Sequence, residues 1–428
     1  MEEQTHVEKA LLVAVGGKQK PITNDTLDEL AALAETAGAE VISRVVQNLP
    51  HPDRATYLGS GKVKELVALV EEMQIDIVIL DTSLSPIQLR NLGDAFPCKV
   101  IDRTQLILDI FAKRALSRDG HLQVELAQLT YLLPRLIGHS RQLSRLGGGI
   151  GTRGPGETKL ETDRRNLRRR IAALREDIDE LRQQRQIQRQ GRKRERLAQV
   201  ALVGYTNAGK SSLMNLLSGS ELLAEDKLFA TLDTTTRRFN LLDGRIALLS
   251  DTVGFIRNLP THLIAAFKAT LEELQEADLL LHVVDIAAED YAEQMAAVQS
   301  TLEELKIDRP LLVVFNKIDK VSQCPIPSLL HEYPGSIAVS ALTGQGSEAL
   351  LRRIQELLYA DRERYTVLIP YDEGALFDPI YLYARVLRRE EVPAGTIIEL
   401  ESDTALAGRL RAYRLPEGEA QWTAISDD

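Results

Sequence analysis

Gly204-Tyr-Thr-Asn-Ala-Gly209-Lys210-Ser211 follows the apolar run Ala198-Gln-Val-Ala-Leu-Val203 and precedes the helix-forming run Ser212-Leu-Met-Asn-Leu-Leu. Strand, glycine-spaced loop and helix in that order are the setting of a phosphate loop. Glycines at 204 and 209 let backbone N–H groups turn inward, and the positive end of the following helix points to the same place. Within the loop, Lys210 is the expected partner of the β- and γ-phosphates and the Ser211 hydroxyl the expected ligand of Mg²⁺. Tyr205, Thr206, Asn207, Ala208 and Ser212 complete the cradle.

Two further stretches narrow the ligand. Asp251-Thr-Val-Gly254 ends the apolar strand Ile246-Ala-Leu-Leu-Ser250, where the Asp251 carboxylate can hold Mg²⁺ through water and the Gly254 N–H can sense a γ-phosphate. Asn316-Lys317-Ile318-Asp319 ends the strand Leu311-Leu-Val-Val-Phe315. A carboxylate at Asp319 accepts both hydrogens of guanine N1 and its 2-amino group, whereas adenine offers an acceptor at N1 and no 2-amino group. A buried mismatch leaves polar groups unpaired, so the set selects guanine. Ser340-Ala341-Leu342, after Ser336-Ile-Ala-Val, fits the remaining base-contacting loop.

Between these lies Phe229-Ala-Thr-Leu-Asp-Thr-Thr-Thr-Arg-Arg238, whose threonines can complete the Mg²⁺ shell and close over the γ-phosphate. Thr235 is the choice, with Thr231, Thr234 and Thr236 as rivals; Lys210, Thr235 and Gly254 are then the catalytic set. The residue after Gly254 is Phe255, where many small GTPases place the glutamine that orients the attacking water. A phenyl ring can make no such hydrogen bond, so GTP hydrolysis to GDP and phosphate is expected to be slow without an activating partner. Asn207 matches the position where some related GTPases use a side-chain oxygen for K⁺; shaping the loop is its alternative role.

The 428 residues exceed one ordinary core. Apolar strands alternating with amphipathic helices from 1 to 110 (Leu11-Leu-Val-Ala-Val, Thr26 to Ala37, Glu40 to Val46, Gly61 to Met73, Ile75 to Leu80, Pro86 to Phe96, Cys98 to Asp102) predict a mostly parallel α/β domain. Leu122, Leu126, Leu129, Leu133 and Leu136 then form one heptad seam, and Leu160, Leu167, Ile171, Leu174, Ile178 and Leu181 a second. The glycine-rich run Gly147 to Lys159 separates them, so residues 111–196 read as a helical, coiled-coil hairpin with a glycine-rich tip. The nucleotide-binding α/β domain follows at 197–360. A small α+β domain closes the chain at 361–428, with strands expected at Thr366–Ile369, Ile380–Val386 and Thr396–Leu400.

The net charge of −10 argues against a surface coated with nucleic acid along its whole length, yet Leu160 to Arg196 holds thirteen Lys and Arg against seven Asp and Glu. Two cysteines, Cys98 and Cys324, build no disulfide framework and read as core thiols. Leu11-Leu-Val-Ala-Val is too short and too soon interrupted by Gly16-Gly17 to span a membrane, so a cytoplasmic chain without stable membrane insertion, monomeric when free, is expected.

Gly148-Gly-Ile-Gly-Thr-Arg-Gly-Pro-Gly-Glu-Thr-Lys-Leu-Glu-Thr-Asp-Arg-Arg165 upstream of the phosphate loop closely resembles the HflX family, bacterial GTPases of the Obg-HflX group. Thr56-Tyr-Leu-Gly-Ser-Gly-Lys62 and Phe229-Ala-Thr-Leu-Asp-Thr-Thr-Thr-Arg237 support it over about residues 10 to 360. A departure is Thr234, where many relatives carry proline. The resemblance implies a Mg²⁺-dependent GTPase that binds the large ribosomal subunit and its rRNA near the peptidyl transferase centre. It further implies ribosome-stimulated hydrolysis, splitting of stalled or idle ribosomes, notably under heat stress, and ATP binding by the N-terminal domain. For ATP, Gly59-Ser-Gly61-Lys62 is the local candidate, against a helix N-terminus with no ligand. RNA contact fits the residues themselves. Gly149, Gly151, Gly154 and Gly156 allow close backbone approach, Arg153 and Lys159 can meet phosphates, and Arg164 and Arg165 extend the charge; a solvated coiled-coil flank is the alternative. Two other functions compete: a regulatory GTP-binding module docking a protein partner, and an RNA-remodelling NTPase driven by the N-terminal domain.

Overall fold

Period-two alternation in the first strand sets the first layer of the structure. In β1 (Lys9–Gly16), Ala10, Leu12 and Ala14 enter one core, while Leu11 and Val13 enter the core on the opposite face. A strand buried on both sides belongs in a parallel sheet covered by helices. The computed structural model describes residues 7–17, 24–138, 155–195, 197–219, 228–229, 234–257, 273–321, 326–360 and 362–416. In it, β1 pairs in parallel with β2 (Glu40–Asn48) and β3 (Ile77–Leu80), and β3 with β4 (Lys99–Asp102), in the order β2-β1-β3-β4. Helices Asn24–Ala37 and Arg103–Arg114 cover one face with Leu30, Leu33, Ile107 and Phe111. Helices Ser60–Met73 and Pro86–Ala95 cover the other with Leu66, Val70 and Leu92.

The helical region differs from the seam expected of it. Helix Arg118–Leu132 buries Val124, Ala127 and Tyr131, leaving Leu122, Leu126 and Leu129 only half-buried. It ends before Leu133 and Leu136 because Pro134 has no N–H to continue the ladder, and a 3₁₀ turn at Arg135–Gly138 follows. The second helix is one 41-residue element, Pro155–Glu195. From Leu167 on the seam holds: Ile171 and Leu174 are buried and Leu167, Ile178 and Leu181 half-buried, while the burial of Leu160 lies outside what is described. The two helices are joined by a bidentate Arg170–Glu125 pair, both bonds 2.7 Å. This helix opens at Pro155, so Gly156 and Lys159, expected in the glycine-rich tip, lie in its first turns; proline is well suited to a helix start. Gly149, Gly151, Arg153 and Gly154 fall outside the described residues.

The second sheet runs β10-β9-β8-β5-β7-β6. It comprises β5 (Ala198–Gly204), β6 (Thr235–Asn240), β7 (Ile246–Asp251), β8 (Leu279–Asp285), β9 (Leu311–Asn316) and β10 (Ile337–Ala338), and only β6 is antiparallel to its neighbour. The C-terminal ends of β5, β7 and β9 therefore lie along one edge, where open α/β sheets bind ligands. The third sheet is antiparallel, β11-β13-β12: β11 (Glu363–Ile369), β12 (Ala384–Val392) and β13 (Gly395–Ser402). Ile380 to Tyr383, expected as strand, belong instead to helix Phe377–Tyr383, which seats the fully buried Ile380 on the sheet. Pro379 in its first turn is the signal that favours the helix.

Candidate functional site

β5 delivers the chain at Gly204 and helix Lys210–Ser218 takes it away, so residues 204–210 form a loop whose amides converge ahead of a helix N-terminus. Lys210 folds back, its Nζ donating to the carbonyls of Gly204 (3.1 Å) and Tyr205 (2.8 Å). Burial pushes its ammonium down to about 8, with Asp251 opposing. Beneath it His282 is buried on β8 and lowered to about 4, by burial first and then by the Lys210 charge, so it stays neutral at physiological pH. Asn207 takes the left-handed φ of 62°, a conformation asparagine tolerates, and its carbonyl accepts from Lys317 Nζ at 2.8 Å.

At the end of β7, the Ser211 hydroxyl donates to Asp251 Oδ2 at 2.7 Å. Two hard oxygen donors this close, one on the phosphate-loop helix and one on a buried strand end, fit Mg²⁺. Thr235 opens β6 directly opposite Asp251 in the ladder, the only one of the threonines 234–236 in that register. Thr236 is tied to Ser250 (2.9 Å) and Thr234 to Glu273 (3.3 Å); Thr231 lies outside the described residues. Gly254 packs so tightly that a Cβ there would stand 2.7 Å from Thr206 Cγ2 and 3.0 Å from Lys210 Nζ. Past it the chain zips onto the loop: Phe255 N–H donates to Gly204 (3.1 Å), and Thr206 N–H donates to Phe255 (2.7 Å). The Phe255 ring is buried among Val203, Leu274, Leu280 and Val298, in the core beneath the sheet.

Asn316 stitches the loops together. Its Nδ2 donates to the Ala208 carbonyl and its Oδ1 accepts from Ala341 N–H, both at 2.9 Å. Gly209, at φ 91°, leaves room for this amide; a Cβ there would lie 2.2 Å from Asn316 Nδ2. Lys317 pairs with Asp285 at 2.7 Å, and Asp319 accepts from the buried Ser340 hydroxyl, which also caps Thr343 N–H. Ser212 lies in the first turn of the phosphate-loop helix, and Leu342 is exposed. The expected loop, strand-end and base-contacting residues are thus brought to one edge of one sheet.

Other candidates sit apart from it. Gly59 N–H donates to Gln47 Oε1 (3.1 Å) and Lys62 pairs with Glu65 (2.6 Å), so each already has a partner within the N-terminal layer. Arg164 and Arg165 lie on helix Pro155–Glu195, Arg164 within 3.8 Å of Glu161. No grouping of His, Cys, Asp and Glu among the described residues makes a further metal site. One connection has no counterpart in the sequence reading: the Tyr205 hydroxyl donates to Glu29 Oε2 at 2.7 Å, across 176 residues. Nothing local in the sequence signals such a pair.

A phosphate loop, a strand-end carboxylate beside a serine, and a carboxylate and amide at the base position define a P-loop GTPase, an enzyme that hydrolyses GTP. Four family models match in chain order: GTP-binding GTPase N-terminal over residues 24–112, GTP-binding GTPase Middle Region over 114–192, 50S ribosome-binding GTPase over 199–317 and HflX C-terminal domain over 330–410. The GTPase HflX of Caldanaerobacter subterraneus subsp. tengcongensis is 47% identical over 95% of this chain and 94% of its own. That of Escherichia coli K12 is 43% identical over 87% of this chain and 88% of its own. A GTP-binding protein from Sulfolobus solfataricus, solved with GDP, is 26% identical, covering 82% of this chain and 99% of its own, with a TM-score of 0.43. The chain belongs to the HflX family of GTPases. No helix among the described residues is long and apolar enough to cross a membrane.

Proposed function

We propose that this chain is a cytoplasmic GTPase that binds the large ribosomal subunit and dissociates stalled or idle ribosomes, with hydrolysis stimulated by the ribosome. The burial of Phe255 carries the reading. The group that would orient the attacking water is absent and its replacement is committed to the core, so a partner has to complete the site. The family description of a 50S ribosome-binding GTPase names a partner of the right kind, and the basic helix Pro155–Glu195 offers Arg164 and Arg165 to RNA phosphates.

In this reading the phosphate loop 204–211 and Lys210 hold the phosphates of GTP, and Asp319, Asn316 and residues 340–342 hold guanine. Ser211, Asp251 and Thr235 hold Mg²⁺, which neutralises phosphate charge when bound. Asn207 is the residue through which K⁺ would act. The domain division is 1–110, 111–196, 197–360 and 361–428. Turnover of GTP with and without purified large subunits tests the proposal, together with sedimentation of whole ribosomes after addition of GTP or a non-hydrolysable analogue. Stimulation and separated subunits are expected; unchanged turnover with intact ribosomes would sink it.

A further inference from the structure

Three residues beyond Gly254, both backbone polar groups of Arg257 are held by side chains from distant parts of the chain. Its N–H donates to the Tyr205 hydroxyl at 2.7 Å, and its carbonyl accepts from Arg103 at 3.1 Å. Tyr205 in turn donates to Glu29 Oε2 at 2.7 Å, while Arg103 pairs with Glu29 Oε1 and with Asp81 at 2.7 Å. Glu29 and Arg103 stand on the two helices that cover the first sheet, and Tyr205 is the second residue of the phosphate loop. The centre of the relay is buried and its ends, Glu29 and Arg257, half-buried: Arg103 is 3% and Tyr205 6% exposed, and Val253, Ile256 and Phe229 lie in one apolar cluster with Leu30 and Phe111. Phe229 and Phe111 meet edge to face, with centroids 4.6 Å apart. The Arg257 guanidinium is anchored separately, to Asp290 and to Glu293 at 2.9 Å.

We propose that Tyr205 is a positioning residue for γ-phosphate recognition: with Glu29 behind its hydroxyl, and Arg103 holding the Arg257 carbonyl beside it, it sets the segment Asp251–Arg257 from outside the nucleotide-binding sheet. The tyrosine hydroxyl is engaged on both sides by Glu29 and Arg257 and so acts on the nucleotide only through the backbone it holds. A buried network of this kind is cooperative, because removing one hydroxyl strands an N–H and leaves a carboxylate oxygen short of a donor. GDP makes no demand on Gly254, whereas GTP does, so the relay bears on one nucleotide and not the other. The proposal rests on the reading of Gly254 as the γ-phosphate contact.

The experiment measures affinities of the full chain for GDP and for a non-hydrolysable GTP analogue in Tyr205→Phe, Glu29→Gln, the double variant and Gly254→Ala, with thermal melting to confirm folding. In Tyr205→Phe the ratio of the two affinities shifts by about tenfold or more, the low end for a lost charge-assisted hydrogen bond, while GDP affinity moves less than about twofold. Glu29→Gln, which weakens the partner of both Tyr205 and Arg103, shifts the ratio in the same direction, and the double variant falls short of the sum of the two single effects because they share the Tyr205–Glu29 bond. An unchanged ratio, or equal losses for both nucleotides, overturns the proposal. If Gly254→Ala itself leaves the ratio unchanged, the reading of Gly254 fails and the proposal with it; a shift in Gly254→Ala alone removes only the relay.

Discussion

Replacing Asn316 with alanine removes the side chain that joins the phosphate loop to the base-contacting loop. Two hydrogen bonds of 2.9 Å disappear at a residue 1% exposed, stranding the Ala208 carbonyl and the Ala341 N–H. Each stranded group costs about 1–3 kcal/mol, so the pair costs roughly 2–6 kcal/mol wherever both loops have to be ordered. Nucleotide binding requires that order. Even half of the mid-range falling on the bound state, about 2 kcal/mol, weakens GDP about 30-fold. Titration calorimetry with GDP and IDP reads the effect and its origin. IDP lacks the 2-amino group that Asp319 holds in the proposed function, so Asp319→Ala is expected to collapse the preference for GDP over IDP. Asn316→Ala lowers both affinities together, because the loops loosen while Asp319 stays. Undiminished GDP affinity in a folded Asn316→Ala protein would refute the reasoning, as would loss of the GDP-over-IDP preference.

The Lys210 ammonium, lowered to about 8, has to be charged to hold phosphate, so binding takes up a proton near and above that pH and affinity falls about tenfold per unit beyond it; calorimetry in buffers of different ionisation enthalpy measures the uptake. The same shift sets a stability window: the unfolded chain binds more protons between about 8 and 10.5, so this lysine's contribution rises with pH across that interval, readable from denaturant unfolding of the nucleotide-free protein. Phe255→Gln puts a polar amide into an apolar core, lowering stability by about 3 kcal/mol or more without speeding basal hydrolysis; a stable, faster variant would show that the position faces the nucleotide. Thr235→Ala raises the Mg²⁺ needed for half-maximal turnover about tenfold, and that effect appearing in Thr231→Ala instead would move the ligand role.

β1 and β3 were legible almost residue by residue, because strands buried on both faces leave short apolar runs bounded by polar residues and glycine. The nucleotide edge was legible for a related reason: glycine at 209 and amide at 316 answer steric and hydrogen-bonding demands that only those residue types meet. Spacing alone misled where an apolar period met a local interruption. Pro134 cut the leucine seam, Pro155 drew four expected loop residues, Gly156 to Lys159, into a helix, and Pro379 turned Ile380 from strand to helix. The relay through Tyr205 was invisible, since Glu29, Arg103 and Arg257 are ordinary surface residue types and only the tertiary fold buries them together.

Helix Pro155–Glu195 stops two residues short of β5, the strand that ends at Gly204. Forty-one residues make a rod about 60 Å long. At that length a tilt of about 5° at the joint carries the far tip about 5 Å. The seven residues of β5 separate the rod's end from the phosphate loop, about 20 Å of strand, so the rod and the loop sit at opposite ends of one strand.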